Sequence, residues 1–196
     1  CIWQYRLRTG DLAFVEEAWP VLERIVSAYQ KGTHHSIGMD RDGLICAGGG
    51  QKDNAIPAES GALLAVKDRA AAVAAVTAEA AAIQYELQTA DPGVSIRTEA
   101  VESDRLPMDQ ASTRRVICLL TCAPCGVQTM SQDIPGLVQT SLNLGVLETA
   151  DDHVRASFSI RSSVASEKEL IRDRVVCLVE MLGGSVSFSG DYPAWE

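Results

Sequence analysis

The side chain in this sequence best suited to chemistry is an arginine, Arg161. In the stretch from Val154 to Arg161, Val154, Ala156, Phe158 and Ile160 alternate with Arg155, Ser157, Ser159 and Arg161. That is the period of a strand with one apolar and one polar face. A guanidinium fixed in mid-strand can grip a carboxylate through two parallel hydrogen bonds. On composition alone, a solvated sheet-face arginine paired with a nearby acid is the plainer reading. Asn143 belongs to a matching run, in which Leu142, Leu144 and Val146 alternate with Ser141, Asn143 and Gly145. Asn54 lies in the stretch GGGQKDNAIP, residues 48–57.

Other chemistries fit less well. A phosphate cradle needs glycines that run straight into a helix N-terminus, where backbone N–H groups and the helix dipole meet the anion. GGGQKDNAIP leads instead into a proline turn and a strand. A metal hydrolase needs several His, Asp or Glu ligands converging on an ion. The chain has His34, His35 and His153 only, in no His-x-Asp or His-Glu-x-x-His arrangement. Adjacent His34 and His35 would point to opposite faces of a strand. No Gly-x-Ser-x-Gly elbow for a nucleophilic serine is present. Six cysteines occur, with one tight pair, Cys122-Ala-Pro-Cys125. That pair follows an apolar run at a helix C-terminus, whereas an activated thiol needs the helix N-terminus. A structural role is therefore expected for it.

The elements that must position these residues follow from periodicity. Residues 11–31 read as a helix, with Val21, Ile25 and Tyr29 at four-residue steps and Pro20 as a start or kink. Leu44 to Ala47 and Ala58 to Val66 are strand candidates. Val73, Val76, Ala80, Ile83 and Leu87 predict a helix over 68–88, stopped by Asp91-Pro92-Gly93. Val94 to Val101 alternates like a strand, Asp109 to Thr121 is helical, and Gly126 to Met130 is a short strand. Residues 138–162 form a hairpin. A three-residue loop at Asp151 to His153 would keep both apolar faces on one side and set Asn143 directly opposite Arg161. A helix over 164–182 follows, with Ile171, Val175, Leu178 and Leu182 as its stripe, a capping box of Ser166 and Glu169, and a stop at Gly183-Gly184. Ser185 to Ser189 reads as a last strand. The expected fold class is α+β, an antiparallel sheet with amphipathic helices on one face and the other face open.

The 196 residues can bury a real core in one large or two small domains. Asp and Glu outnumber Lys and Arg 26 to 17, and the formal charge of −9 disfavours nucleic acid and anionic membranes as partners. Neither a membrane span nor a signal peptide is legible, so a reducing cytoplasm is expected. A start at Cys1 rather than Met, and an end at Tyr192-Pro193-Ala194-Trp195-Glu196, suggest a segment of something longer.

Four segments in order resemble one family, the dinuclear-zinc dipeptidases of the aminoacyl-histidine (β-alanyl-histidine, carnosine-cleaving) type. GGGQKDNAIPAES is similar to their Gly-Gly-x-x-x-Asn-Ala-Ile-Pro-x-Glu segment, and GVQTMSQDIPGLVQTSLNLGVLET to their Met-Ser-x-Asp-Ile-Pro-Gly-Leu-Val-x-Thr-Ser-x-Asn-Leu. FSIRSSVASEKEL resembles their Arg-Ser-Ser-x-x-Ser, and GDYPAWE their Tyr-Pro-x-Trp. The resemblance covers residues 44–196 and implies a lid and dimerisation domain, ferredoxin-like with an extra helix and strands, inserted in a metal-binding domain. It implies that Arg161 binds the substrate's C-terminal carboxylate and that Asn54 and Asn143 belong to the substrate-facing surface. It further implies zinc in the complete enzyme but none bound by this segment, a dipeptide substrate of Xaa-His type, and a homodimer. Residues 1–43 depart from the pattern. The family's Gly-Gly-His-Ser-Gly, expected about fifty residues before Asn-Ala-Ile-Pro, falls at CIWQYRLRTG, which has no histidine, and its role is not transferred to His35. The rival expectation is a self-standing α+β interaction or regulatory module that binds a small ligand or a second copy of itself.

Overall fold

The structure, a computed structural model, describes residues 43–190. The expected helix over 11–31, together with His34, His35 and the Tyr-Pro-Ala-Trp segment, lies outside the described residues. Within them, five strands and three helices follow the order β1 (Gly43–Gly49), β2 (Ser60–Ala65), α1 (Arg69–Leu87), α2 (Gln110–Cys122), β3 (Gly126–Met130), β4 (Val138–Thr149), β5 (Val154–Ser162) and α3 (Ala165–Met181). All the strands join one antiparallel sheet. The fold class is α+β, as the periodicity predicts.

The long strand β4 organises the sheet. It pairs with β5 over most of its length, while β3 takes the Val138–Leu142 half and β1 meets it at Leu147. The order is thus β2-β1-β4-β3, with β5 beside β4. Thr149 fastens β1 to β4. Its Oγ1 accepts from the Ala47 N–H at 3.0 Å and donates to the Ala47 carbonyl at 2.8 Å, so one hydroxyl satisfies both backbone groups of a neighbouring strand.

Two bulges keep the apolar side chains on one face. Along β5, Val154, Phe158 and Ile160 share a face by simple alternation. Val154 packs with Leu44, Ala47, Val116 and Leu147 beneath α2, and Phe158 and Ile160 pack with Leu142, Ile171 and Val175 of α3. Both helices therefore cover the same face. On β4, the residues pointing there are Leu142 and Leu147, an even and an odd position. That is possible because the register with β5 shifts between Leu144 and Val146, one extra residue reversing the alternation. A similar shift between Leu44 and Cys46 does the same for Leu44 and Ala47 on β1.

The helices form where the pattern places them, with local differences. Asp68 caps α1, accepting from the Ala71 N–H at 2.9 Å, and Asp109 caps α2, accepting from the Ser112 N–H at 2.8 Å. Of the expected stripe on α1, Ala80, Ile83 and Leu87 are buried, while Val73 is 37% exposed where it borders an open groove. On α3 the buried row is Ile171 and Val175, continued by Val179 in place of Leu178. The Ser166–Glu169 capping box does not form. The N-cap is Val164 with no side-chain cap, and Glu169 turns outward to Arg172 at 3.4 Å. The helix ends as expected, with Gly183 at φ 76 and the Gly184 N–H bonded to the Val179 carbonyl at 2.9 Å.

Two expected strands are absent. Residues 94–101 and 185–189 are irregular and pair with no strand among the described residues; alternation of side chains alone does not make a ladder. Segment 94–108 is instead tied at its end, where the Met108 N–H bonds to the Leu44 carbonyl at 2.8 Å. The segment after α3 is fixed by its aromatic ring, with the Arg172 guanidinium 4.0 Å from the Phe188 centroid.

Candidate functional site

The polar face of the β4–β5 hairpin carries the predicted residues. With Leu142, Phe158 and Ile160 on the helix side, their neighbours Ser141, Asn143, Ser159 and Arg161 face the other way. Asn143 is paired with Ser159, and Arg161 with Ser141. The expected direct pairing of Asn143 with Arg161 is therefore corrected by one step of the alternation: the two are diagonal neighbours on one face, about 7–8 Å apart in such geometry. The cause is local. The hairpin turns through four residues, Ala150 to His153, closed by the Ala150 N–H on the His153 carbonyl at 2.9 Å, and the bulge at Gly145 then restores the parity.

The glycine at that bulge is where a second chain segment crosses. A Cβ on Gly145 would overlap the backbone of Asp53, and a Cβ on Gly50, at φ +80, would overlap the Gly145 carbonyl. Only two residues without side chains allow the 50–57 turn to lie directly on β4. Asn143 then holds the turn in place: its Nδ2 donates to the Ala55 carbonyl at 2.7 Å and to the Asp53 carbonyl at 3.3 Å. The turn closes on itself through the Ala55 N–H to the Lys52 carbonyl at 3.3 Å. Asn54, between the two carbonyls that Asn143 grips, is exposed. The three residues singled out from sequence thus converge on one side of the sheet, although they are 18 and 89 residues apart along the chain (161 − 143 and 143 − 54).

Their states differ. Arg161 is exposed and pairs with no carboxylate among the described residues. Asn143 is half-buried and already committed to the turn, a role that sequence did not assign to it. The surface offers a cationic fork and amides, which suit recognition of a carboxylate and supply no nucleophile or general base. An apolar groove of about 1910 Å³ between β1–β2 and segment 96–107 includes Asn143 in its lining but not Arg161.

At the N-terminal end of α3 a second polar group draws the sheet and helix together. Thr140, 1% exposed, donates its hydroxyl to Glu167 and shares a 2.8 Å hydrogen bond with Ser162, while Gln139 Nε2 donates to Glu167 at 3.0 Å. These donors, Thr140 foremost, hold the Glu167 carboxyl below the usual glutamate range. No sequence pattern announced this group.

The Cys122–Cys125 pair stands at the C-terminal end of α2, as expected, and burial pushes the Cys122 thiol up. Both are free thiols. Among the described residues no group of three or more His, Cys, Asp or Glu stands ready to hold a metal ion. A dinuclear zinc centre does not fit these residues.

The geometry defines an α+β sheet domain whose polar sheet face exposes Arg161. Against known proteins, it is 30% identical over 155 residues to a cytosol non-specific dipeptidase from Escherichia coli (strain K12), covering 78% of this chain and 32% of that protein. Its structure matches that of an aminoacylhistidine dipeptidase from Vibrio alginolyticus with a TM-score of 0.77 and 29% identity, over 79% of this chain and 32% of that one. The chain is similar in sequence to the first of these dipeptidases, and its α+β fold matches part of the solved structure of the second. It spans about one third of the length of the relatives it matches. A family model described as amylo-alpha-1,6-glucosidase matches residues 1–59, of which 43–59 form β1 and the turn described above.

Proposed function

We propose that this chain is the lid and dimerisation part of a metal-dependent dipeptidase acting on Xaa-His type dipeptides, and that Arg161 binds the substrate's free C-terminal carboxylate. The observation that carries the reading is an exposed guanidinium, with no carboxylate partner among the described residues, on the polar sheet face of a domain similar to dipeptidases. Asn143 positions the turn that presents Asn54 beside it, and Asn54 is the second substrate contact. Zinc belongs to the flanking catalytic part and would supply the activated water there. The cytosolic designation of the E. coli relative favours a cytoplasmic site of action. No helix among the described residues is long and apolar enough to cross a membrane, and the charge of −9 argues against nucleic acid. Residues 1–43 stand apart from the lid in this reading.

Steady-state kinetics of the complete enzyme test the assignment. Arg161→Ala should raise KM for dipeptides with a free carboxylate by about 10- to 100-fold, the worth of a charge-assisted hydrogen bond. The same substitution should leave C-terminally amidated dipeptides unaffected. Equal kinetics on both substrates would remove the assignment.

A further inference from the structure

Four of the six cysteines gather at one place on the helix-covered side of the molecule, away from the Arg161 face. Cys118 and Cys122 lie one turn apart on α2, with their Sγ atoms 3.9 Å from each other. Cys122 also lines a cleft of about 470 Å³ together with Cys125, from the α2–β3 turn, and Cys177 of α3. Arg174 and Gln128 complete that lining. All four thiols are free, and Cys122 and Cys177 are exposed.

We propose that Cys118 and Cys122 form a two-thiolate site for a soft monovalent d10 cation of the Cu(I) class, with Cys125 and Cys177 across the cleft as exchange ligands.

Geometry separates this from the obvious rival, a disulfide. Residues four apart on a helix hold their Cβ atoms about 5–6 Å apart, whereas a disulfide needs about 3.5–4.5 Å. Oxidising Cys118 and Cys122 to each other would require unwinding the last turn of α2. A bridging ion asks for less. With metal–sulfur bonds of about 2.3 Å, two thiolates on one linear ion sit roughly 4.6 Å apart. The 3.9 Å pair reaches that by opening about 0.7 Å through side-chain rotation, with the helix intact.

The choice of ion follows from donor number and charge. Among the described residues no third ligand is in place, which disfavours a four-coordinate Zn²⁺ and suits a soft ion content with two sulfurs. Binding exchanges protons for metal: Cu⁺ and two thiols give a bis-thiolate complex of charge −1 and two released protons. Arg174, on the wall of the same cleft, offsets that negative charge.

Anaerobic titration of the 196-residue chain with Cu(I), competed against bathocuproine disulfonate, tests the site. One equivalent should be retained. Cys118→Ser/Cys122→Ser should weaken retention by at least about 100-fold, and Cys46→Ser, on β1, should not change it. Retention by the double variant, equal loss in Cys46→Ser, or Zn²⁺ displacing Cu(I) at equal concentration would each overturn the proposal. Should the double variant misfold, the copper absorption edge of the wild-type chain decides the matter: sulfur neighbours support the site, and nitrogen or oxygen neighbours alone overturn it.

Discussion

Asn143 reaches from the middle of β4 to the carbonyl of Ala55, 88 residues earlier in the chain, at 2.7 Å. The same amide group touches the Asp53 carbonyl at 3.3 Å. Asn143→Ala should therefore free the 52–55 turn while leaving the sheet intact. A loss of about 0.5–1.5 kcal/mol is expected in urea denaturation, with amide exchange at Ala55 accelerated more than at Leu142. Uniform exchange at both positions would show that the turn is held by something else.

Gly145 should tolerate no side chain, because Asp53 occupies the space a Cβ would need. Gly145→Ala is expected to cost about 1–3 kcal/mol, the penalty of forcing atoms into a filled contact. Gly61 on β2 offers the control, since a Cβ there meets nothing within 4 Å. Gly61→Ala should be neutral within about 0.5 kcal/mol. Equal midpoints for the two variants in thermal melts would contradict the close crossing of turn and strand.

Thr149 bonds both backbone groups of Ala47 through one hydroxyl. Thr149→Val keeps the shape and removes both bonds, leaving a half-buried N–H and C=O without partners. A destabilisation of about 1–3 kcal/mol follows, larger than for Thr149→Ser, which retains the hydroxyl. The comparison of the two variants in guanidinium denaturation isolates the hydrogen bonds from the methyl group.

The Glu167 group gives a pH dependence with a fixed sign. Hydrogen bonds from Thr140 first, then from Gln139 and Thr129, lower its folded pKa below the ordinary value. A lowered acid stabilises the folded state above its unfolded pKa, and that contribution is lost as pH falls through the folded value. The unfolding free energy of the wild-type chain should accordingly drop on acidification below the ordinary glutamate range. In Thr140→Val the drop should be shallower, a difference readable from urea melts at a series of acidic pH values.

The sequence shows the hairpin and helices because each has a stripe of its own: Ile171 and Val175 on α3, or Val154, Phe158 and Ile160 on β5, need no knowledge of their partners. Where the outcome depends on a distant segment, local pattern misleads. Residues 94–101 alternate yet pair with no strand among the described residues, and Ser166 has capping chemistry yet sits inside α3. The polar row bearing Arg161 is legible by alternation, but its pairing is not, since Gly145 adds a residue that the apolar pattern hides. A glycine inside a strand pattern was the available signal. Asn143's grip on the turn had none, because a hydrogen bond across 88 residues leaves no trace in spacing.

The split edge of β4 has a kinetic meaning. Its contacts with β3 and β5 close loops of a few residues, whereas Gly49 must find Leu147 across 98 intervening steps of chain (147 − 49). Loop closure over such a span is slow to be rewarded. The hairpin can collapse onto α3 first, and β1 arrives afterwards, bringing the turn that Asn143 clasps. Contact order thus predicts that the surface around Arg161 is completed late in folding, when β1 has met β4.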